Sequence, residues 1–165
     1  MPALVAGTTA PDFTLETMDG KKFSLGEARK HGPVVAVFLK ISCPVCQYAL
    51  PFLERIHKSY PTKKAVIVGI SQDDKASTAA FMREYGITFP VLLDDTRTYP
   101  ASNAYGLTNV PSIFYIEQSG EIEISSVGWS RPDIEEINSK IAAIEKIPLT
   151  PLFRRGEEIS DFRPG

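Results

Sequence analysis

Val34-Val35-Ala36-Val37-Phe38-Leu39 is apolar at six consecutive positions, the pattern of a β-strand buried on both faces. Such a strand needs cover above and below, so the remaining chain must supply a layer on each side. Ala65-Val66-Ile67-Val68-Gly69-Ile70 repeats the pattern, and Phe89-Pro90-Val91-Leu92-Leu93 reads as a third strand. Helical stretches separate them. One opens at Cys43 and runs to about Tyr60, with Val45, Tyr48, Ala49, Phe52, Leu53 and Ile56 on its buried side. Pro51 removes a hydrogen bond inside it and is expected to kink it. A second runs from Ser77 to Tyr85 and stops at Gly86; a shorter one spans Thr98 to Tyr105 and stops at Gly106.

The flanks are hairpins. Pro11 to Thr17 and Lys22 to Leu25 alternate apolar and polar residues around an Asp19-Gly20 turn, and Gly26 to His31 follows as a short helical turn. Beyond Pro111, Ser112 to Ile116 turns at Ser119-Gly120 into Glu121 to Val127. Ile134 to Lys146 forms the last helix, with Ile134, Ile137, Ile141 and Ile144 at helical spacing. Strands alternating with helices imply an α/β chain built on a parallel-rich sheet with helices on both faces. Residues 1–147 make one domain. Residues 148–165 lack periodicity and read as an irregular C-terminal tail, mobile or else draped through Leu152, Phe153 and Phe162.

At 165 residues the chain is long enough for one substantial core. A formal net charge of -2 supplies no basic field for nucleic acid or anionic lipid. Residues 1–7 show neither a charged region nor an apolar stretch long enough for a signal peptide, and no apolar run approaches the ~18 residues of a membrane span. The expected location is the cytoplasm, with an exported mature form whose leader has been removed as the alternative.

The chain has two cysteines, in Cys43-Pro44-Val45-Cys46. Cys43 falls at the start of a helix, where free backbone N-H groups and the macrodipole favour an anion. Thiols so placed drop from about 8.5 into the range ~3.5–7.5. Cys46, one turn in, is positioned to attack a mixed disulfide on Cys43. Competing readings are weaker. Zinc asks for about four ligands, and His31 and His57 are remote in sequence from the thiols and from each other. A disulfide across so short a loop restrains little unfolded-chain entropy, and two inert buried cysteines leave the spacing unexplained. No cofactor and no metal are expected.

Taken with Ala10-Pro11-Asp12-Phe13-Thr14-Leu15, Asp19-Gly20-Lys21, Pro51 and Asn109-Val110-Pro111-Ser112, the motif gives a chain that resembles the thioredoxin-fold thiol-disulfide oxidoreductases of the TlpA/ResA kind. That group lies within the AhpC/TSA, or redoxin, superfamily. The resemblance covers about residues 10–147. It implies a thioredoxin-like three-layer fold: a mixed central β-sheet, helices on both faces and an N-terminal β-hairpin. It implies a cis Pro111 beside the cysteines, and a Val110 whose backbone pairs with an extended substrate strand. Disulfide-bearing proteins and a thiol electron donor are the partners so implied, and Trp129 falls at the corner that thioredoxins bring beside this loop. There it serves either as a partner contact or as an apolar lid.

Departures matter as well. Peroxiredoxins carry Thr or Ser where Lys40 stands and an Arg at about Pro111, which counts against the alternative of a thiol peroxidase. Val37 replaces the buried acid of thioredoxin, and Ser42 its tryptophan. Lys40 is a candidate to tune the Cys43 thiolate. His57 reads as a solvated residue near the helix end. A third possibility is a redox-regulated binding module using the Trp129 and proline face.

Overall fold

The computed structural model describes residues 3–61 and 63–165. In chain order its elements are β1 (Thr14–Thr17), β2 (Lys22–Ser24), α1 (Leu25–Ala28), β3 (Val34–Leu39), α2 (Pro44–Ser59), β4 (Val66–Ser71) and α3 (Lys75–Tyr85). There follow β5 (Val91–Leu93), α4 (Pro100–Ala104), β6 (Ser112–Ile116), β7 (Ile122–Val127), β8 (Trp129–Ser130), α5 (Arg131–Glu145) and β9 (Phe162–Arg163). Seven strands form one sheet in the order β2-β1-β5-β4-β3-β6-β7. β3 and β5 pair parallel with β4, whereas β1 with β2, β1 with β5, β3 with β6 and β6 with β7 are antiparallel. The sheet is mixed. It is less parallel than the strand-helix alternation alone implies, because each hairpin adds antiparallel strands at a margin.

β3 lies inside the sheet, between β4 and β6, and is covered on both faces. Val35, Val37 and Leu39 enter a core with Ala49, Leu50, Leu53 and Ile56 of α2, Phe81 of α3 and Ile134, Ile137 and Ile141 of α5. Val34, Ala36 and Phe38 enter a second core with Phe13, Leu25, Ala101 and Tyr105. Every residue of the strand is at most 1% exposed, and burying each large side chain contributes about 1.5–3 kcal/mol. The two cores make three layers, with α2, α3 and α5 on one face and α1 and α4 on the other.

Helix ends follow local chemistry. The Asp74 carboxylate accepts the Ser77 N-H, and Gly86 closes α3 in the left-handed region at φ 65°. α5 begins a turn before the apolar series, since Ser130 caps it and Pro132 fits its first turn. Ile144 departs from its expected place and is 39% exposed. Continuing the series 134, 137, 141 by four residues reaches Glu145, which is the buried residue and accepts the Ala65 N-H at 2.8 Å. Among the described residues no helix is long and apolar enough to cross a membrane.

Residues 148–165 are docked, the draped arrangement of the two expected and not the mobile one, with Leu152 and Phe153 as anchors. Leu152 is buried, and the Phe153 ring lies 5.5 Å from Phe52 and 6.4 Å from Trp129. Arg55 on α2 donates to both carboxylate oxygens of Glu157, at 2.8 and 2.7 Å, and this holds the Glu157 carboxyl down at about 2. β9 then pairs antiparallel with β8. Phe162 contributes backbone only, its ring being 61% exposed.

Candidate active site

β3 ends against the N-terminus of α2, and a turn from Lys40 to Cys43 joins them, closed by the Cys43 N-H donating to Lys40 O at 3.1 Å. Cys43 is the N-cap of α2 and Pro44 fills its first turn, a position that needs no N-H. The Cys43 Sγ accepts the Cys46 N-H at 3.3 Å, and its S-H donates to Val110 O at 3.3 Å. A thiolate keeps the first bond and releases the second. Cys43 is half-buried, Cys46 is fully buried, and both are free thiols.

Desolvation raises the Cys46 thiol far above its ordinary value of 9.0, partly offset by the Lys40 backbone N-H. The two sulfurs therefore differ in kind: one reaches the surface at a helix N-terminus, the other sits one turn inside as a neutral thiol.

The Val110-Pro111 peptide bond is cis, as the resemblance implies. Ser112 Oγ donates to Asn109 O at 2.7 Å, and the Gly128 N-H donates to Pro111 O at 2.8 Å, fixing the loop that leads from α4 into β6. Pro111 is buried. Lys40 has an exposed side chain that lines a cleft of about 300 Å³ with Gln72, Leu107, Thr108, Asn109 and Val110.

Of the two roles expected for Trp129, its burial matches an apolar packing residue and not an exposed partner contact. It is 0% exposed, wedged against Tyr48 and Phe52 at 5.0 Å each, and its indole N-H donates to Ser160 O at 2.7 Å. The reason is the docked tail, which roofs this corner. His57 also differs from a solvated residue: it packs edge-on to Phe89 at 6.0 Å, and burial lowers its basicity.

Sequence reasoning passed over three contributors. Asp73 accepts the Ile41 N-H at 2.8 Å, bracing the turn before Cys43. Gln47 donates to Ile41 O at 2.9 Å from the other side. Tyr48 accepts the Ser160 N-H at 3.2 Å and lies 3.9 Å beneath the Arg163 guanidinium. Gln47 and Tyr48, in the turn after Cys46, were the readable signal; Asp73 carries none that periodicity reports. Among the described residues, no group of three or more His, Cys, Asp or Glu is placed to hold a metal ion.

A mixed sheet of this order, carrying Cys-x-x-Cys at a helix N-terminus beside a cis-proline loop, defines the class of thioredoxin-fold dithiol proteins. The thioredoxin domain of a thiol-disulfide oxidoreductase from Bacteroides vulgatus superposes with a TM-score of 0.75 at 20% identity, covering 84% of this chain and 99% of that one. The thioredoxin-like protein YneN of Bacillus subtilis is 33% identical over 126 residues, 74% of this chain and 71% of the relative. The thiol-disulfide oxidoreductase ResA of Geobacillus kaustophilus is 30% identical over 135 residues, 81% of this chain and 76% of the relative. The model of the AhpC/TSA family matches residues 6–125, and the chain belongs to that family.

Proposed function

We infer that the protein is a thiol-disulfide oxidoreductase that exchanges electrons with disulfide-bearing proteins through Cys43 and Cys46. The observation that carries this is the division of labour between the sulfurs: a surface thiol at a helix N-terminus, backed by a buried thiol one turn away. The Cys43 thiolate attacks one sulfur of a partner disulfide, forming a mixed disulfide and releasing the partner's other sulfur as thiolate. Cys46 then loses its proton and attacks the Cys43 sulfur. The 43-46 disulfide forms and the second partner thiolate leaves, so two electrons pass to the partner, whose thiolates take up two protons. A thiol donor reverses the steps to restore the dithiol. Similarity to relatives named for this activity supports the reading.

Val110 and Pro111 form the wall against which a partner's extended chain would lie, and Lys40 is the cation at the rim suited to steady the thiolate. The test is reduction of insulin disulfides. Wild type is expected to be active, Cys43→Ser inactive, and Cys46→Ser to accumulate a covalent complex with its partner that thiol reductant dissolves. Full activity of Cys43→Ser would overturn the assignment. The peroxidase alternative gains nothing from Lys40 and Pro111. It predicts peroxide oxidation of Cys43 far faster than that of a free thiolate, which stopped-flow mixing resolves.

A further inference from the structure

The segment after Glu157 runs to the reactive thiol. Ser160 donates its N-H to Tyr48 and accepts from the Trp129 indole, and the Arg131 N-H donates to Asp161 O at 2.8 Å. Phe162 and Arg163 then pair with Ser130 and Trp129 as a strand. The Arg163 guanidinium caps the Tyr48 ring and donates to Ser160 Oγ at 3.1 Å. Asn109, next to the cis peptide, donates to Gly165 O at 3.2 Å. Contact with the loop is close enough that a β-carbon on Gly165 would stand 2.6 Å from Val110 O, the carbonyl that also receives the Cys43 S-H.

We propose that residues 160–165 are a built-in competitor for the partner's strand, occupying the groove between Tyr48, Gly128 and Val110 that an extended segment of a protein disulfide must enter to reach Cys43. The proposal rests on the reading of the protein as a protein-disulfide exchanger. Two properties suit the segment to this. It uses backbone pairing, a cation over an aromatic ring and a glycine at the tightest point, which together define what an incoming chain must match. It is also thin, for residues 161–165 are all exposed, and segments with little buried surface open locally at small cost. Its base stays fixed through the Arg55 to Glu157 ion pair and the buried Leu152, so the strap lifts without the domain unfolding.

The experiment compares the reduced full-length protein with one ending at Asp161, in single-turnover mixing with insulin and, separately, with the small neutral hydroxyethyl disulfide. Removing the strap is expected to speed reaction with insulin about tenfold, as for a groove open in about one molecule in ten while the strap is present. The rate with the small disulfide should stay within about twofold, since the strap blocks a chain and not a small molecule. A synthetic peptide of residues 157–165 should slow the shortened protein again. Arg163→Glu in the full chain repeats the acceleration without shortening it, which guards against a shortened protein that folds poorly. Equal insulin rates in the presence and absence of residues 162–165, with the peptide inert, would overturn the strap while leaving the exchange reading intact. Failure of every form to react with insulin would instead overturn the exchange reading, and the strap with it.

Discussion

Gly128 tests the docked tail while leaving both thiols in place. Its φ is +77°, and a β-carbon there would stand 2.3 Å from Arg163 O and 2.9 Å from Gly165 N. Gly128→Ala therefore carries two separable costs. Holding an alanine in the left-handed region costs about 1–2 kcal/mol whatever the tail does. The collision is with backbone, which no rotamer change relieves, so Arg163 to Gly165 must leave β8. Leaving surrenders the Arg163 contact with Tyr48, about 0.5–1 kcal/mol at an exposed site, and the β8-β9 pairing, whose bonds contribute about 0.5–1.5 kcal/mol each. Freedom regained by the released residues offsets part of this, leaving about 1–2 kcal/mol as the tail's share. Trp129 is the sole tryptophan, so urea unfolding can be followed by its fluorescence in four proteins: full-length and ending at Asp161, each with Gly or Ala at position 128. The substitution should cost about 2–4 kcal/mol in the full chain and about 1–2 kcal/mol in the shortened one, the difference being the coupling. Equal losses in both backgrounds would refute the contact between Gly128 and the tail.

Further expectations concern three groups, two buried and one half-buried. Because Cys46 is fully buried and its thiol is raised by desolvation, iodoacetamide at pH 7 should modify Cys43 alone in the native dithiol and both cysteines in denaturant, as peptide mass mapping would show. The same shift stabilises the fold fully below the ordinary thiol value of 9.0 and less as pH rises above it; melting temperatures of wild type and Cys46→Ala should diverge there. His57 is shifted the other way, lowered from 6.5 chiefly by burial, so its contribution is present above that pH and lost as pH falls. Between pH 7 and 5 wild type should lose more stability than His57→Gln, and parallel curves would refute it. Glu54, 6% exposed, accepts the N-H groups of Thr88 and Phe89 at 2.8 and 3.3 Å. Glu54→Ala should cost about 2–4 kcal/mol in urea unfolding, since bonds to a charged acceptor contribute about 1.5–3 kcal/mol each and the exposed Thr88 regains water; a loss under about 1 kcal/mol would contradict it.

What could be read from the sequence was what is encoded locally. Six apolar residues in β3 imply two covered faces, and the Cys43 to Cys46 spacing puts one thiol at a helix tip and the other one turn in. Both are properties of a few adjacent residues. The strand-helix alternation located the sheet but not its sense, since the antiparallel margins depend on where the hairpins dock. The features left open or passed over depend on distant partners. Trp129 meets Ser160 31 positions away, and Tyr48 meets the same residue 112 positions away; no periodicity reports such contacts. Composition made residues 148–165 look unanchored because the footholds are scattered and of different kinds: an apolar residue, an aromatic ring, an ion pair, backbone bonds at Ser160 and a two-residue strand. Ile144 failed for a smaller reason, the choice of a three-residue step where the helix required four.

The sulfur that performs the exchange also terminates a helix, and this governs how the site should be disabled for study. Alanine at position 43 would remove nucleophile and terminus together, and loss of a capping side chain costs about 0.5–2 kcal/mol. An inactive alanine variant would thus confound lost chemistry with a frayed α2. Serine supplies an oxygen that accepts the same Cys46 N-H, so it silences the reaction while the scaffold around the vacant nucleophile stays wound.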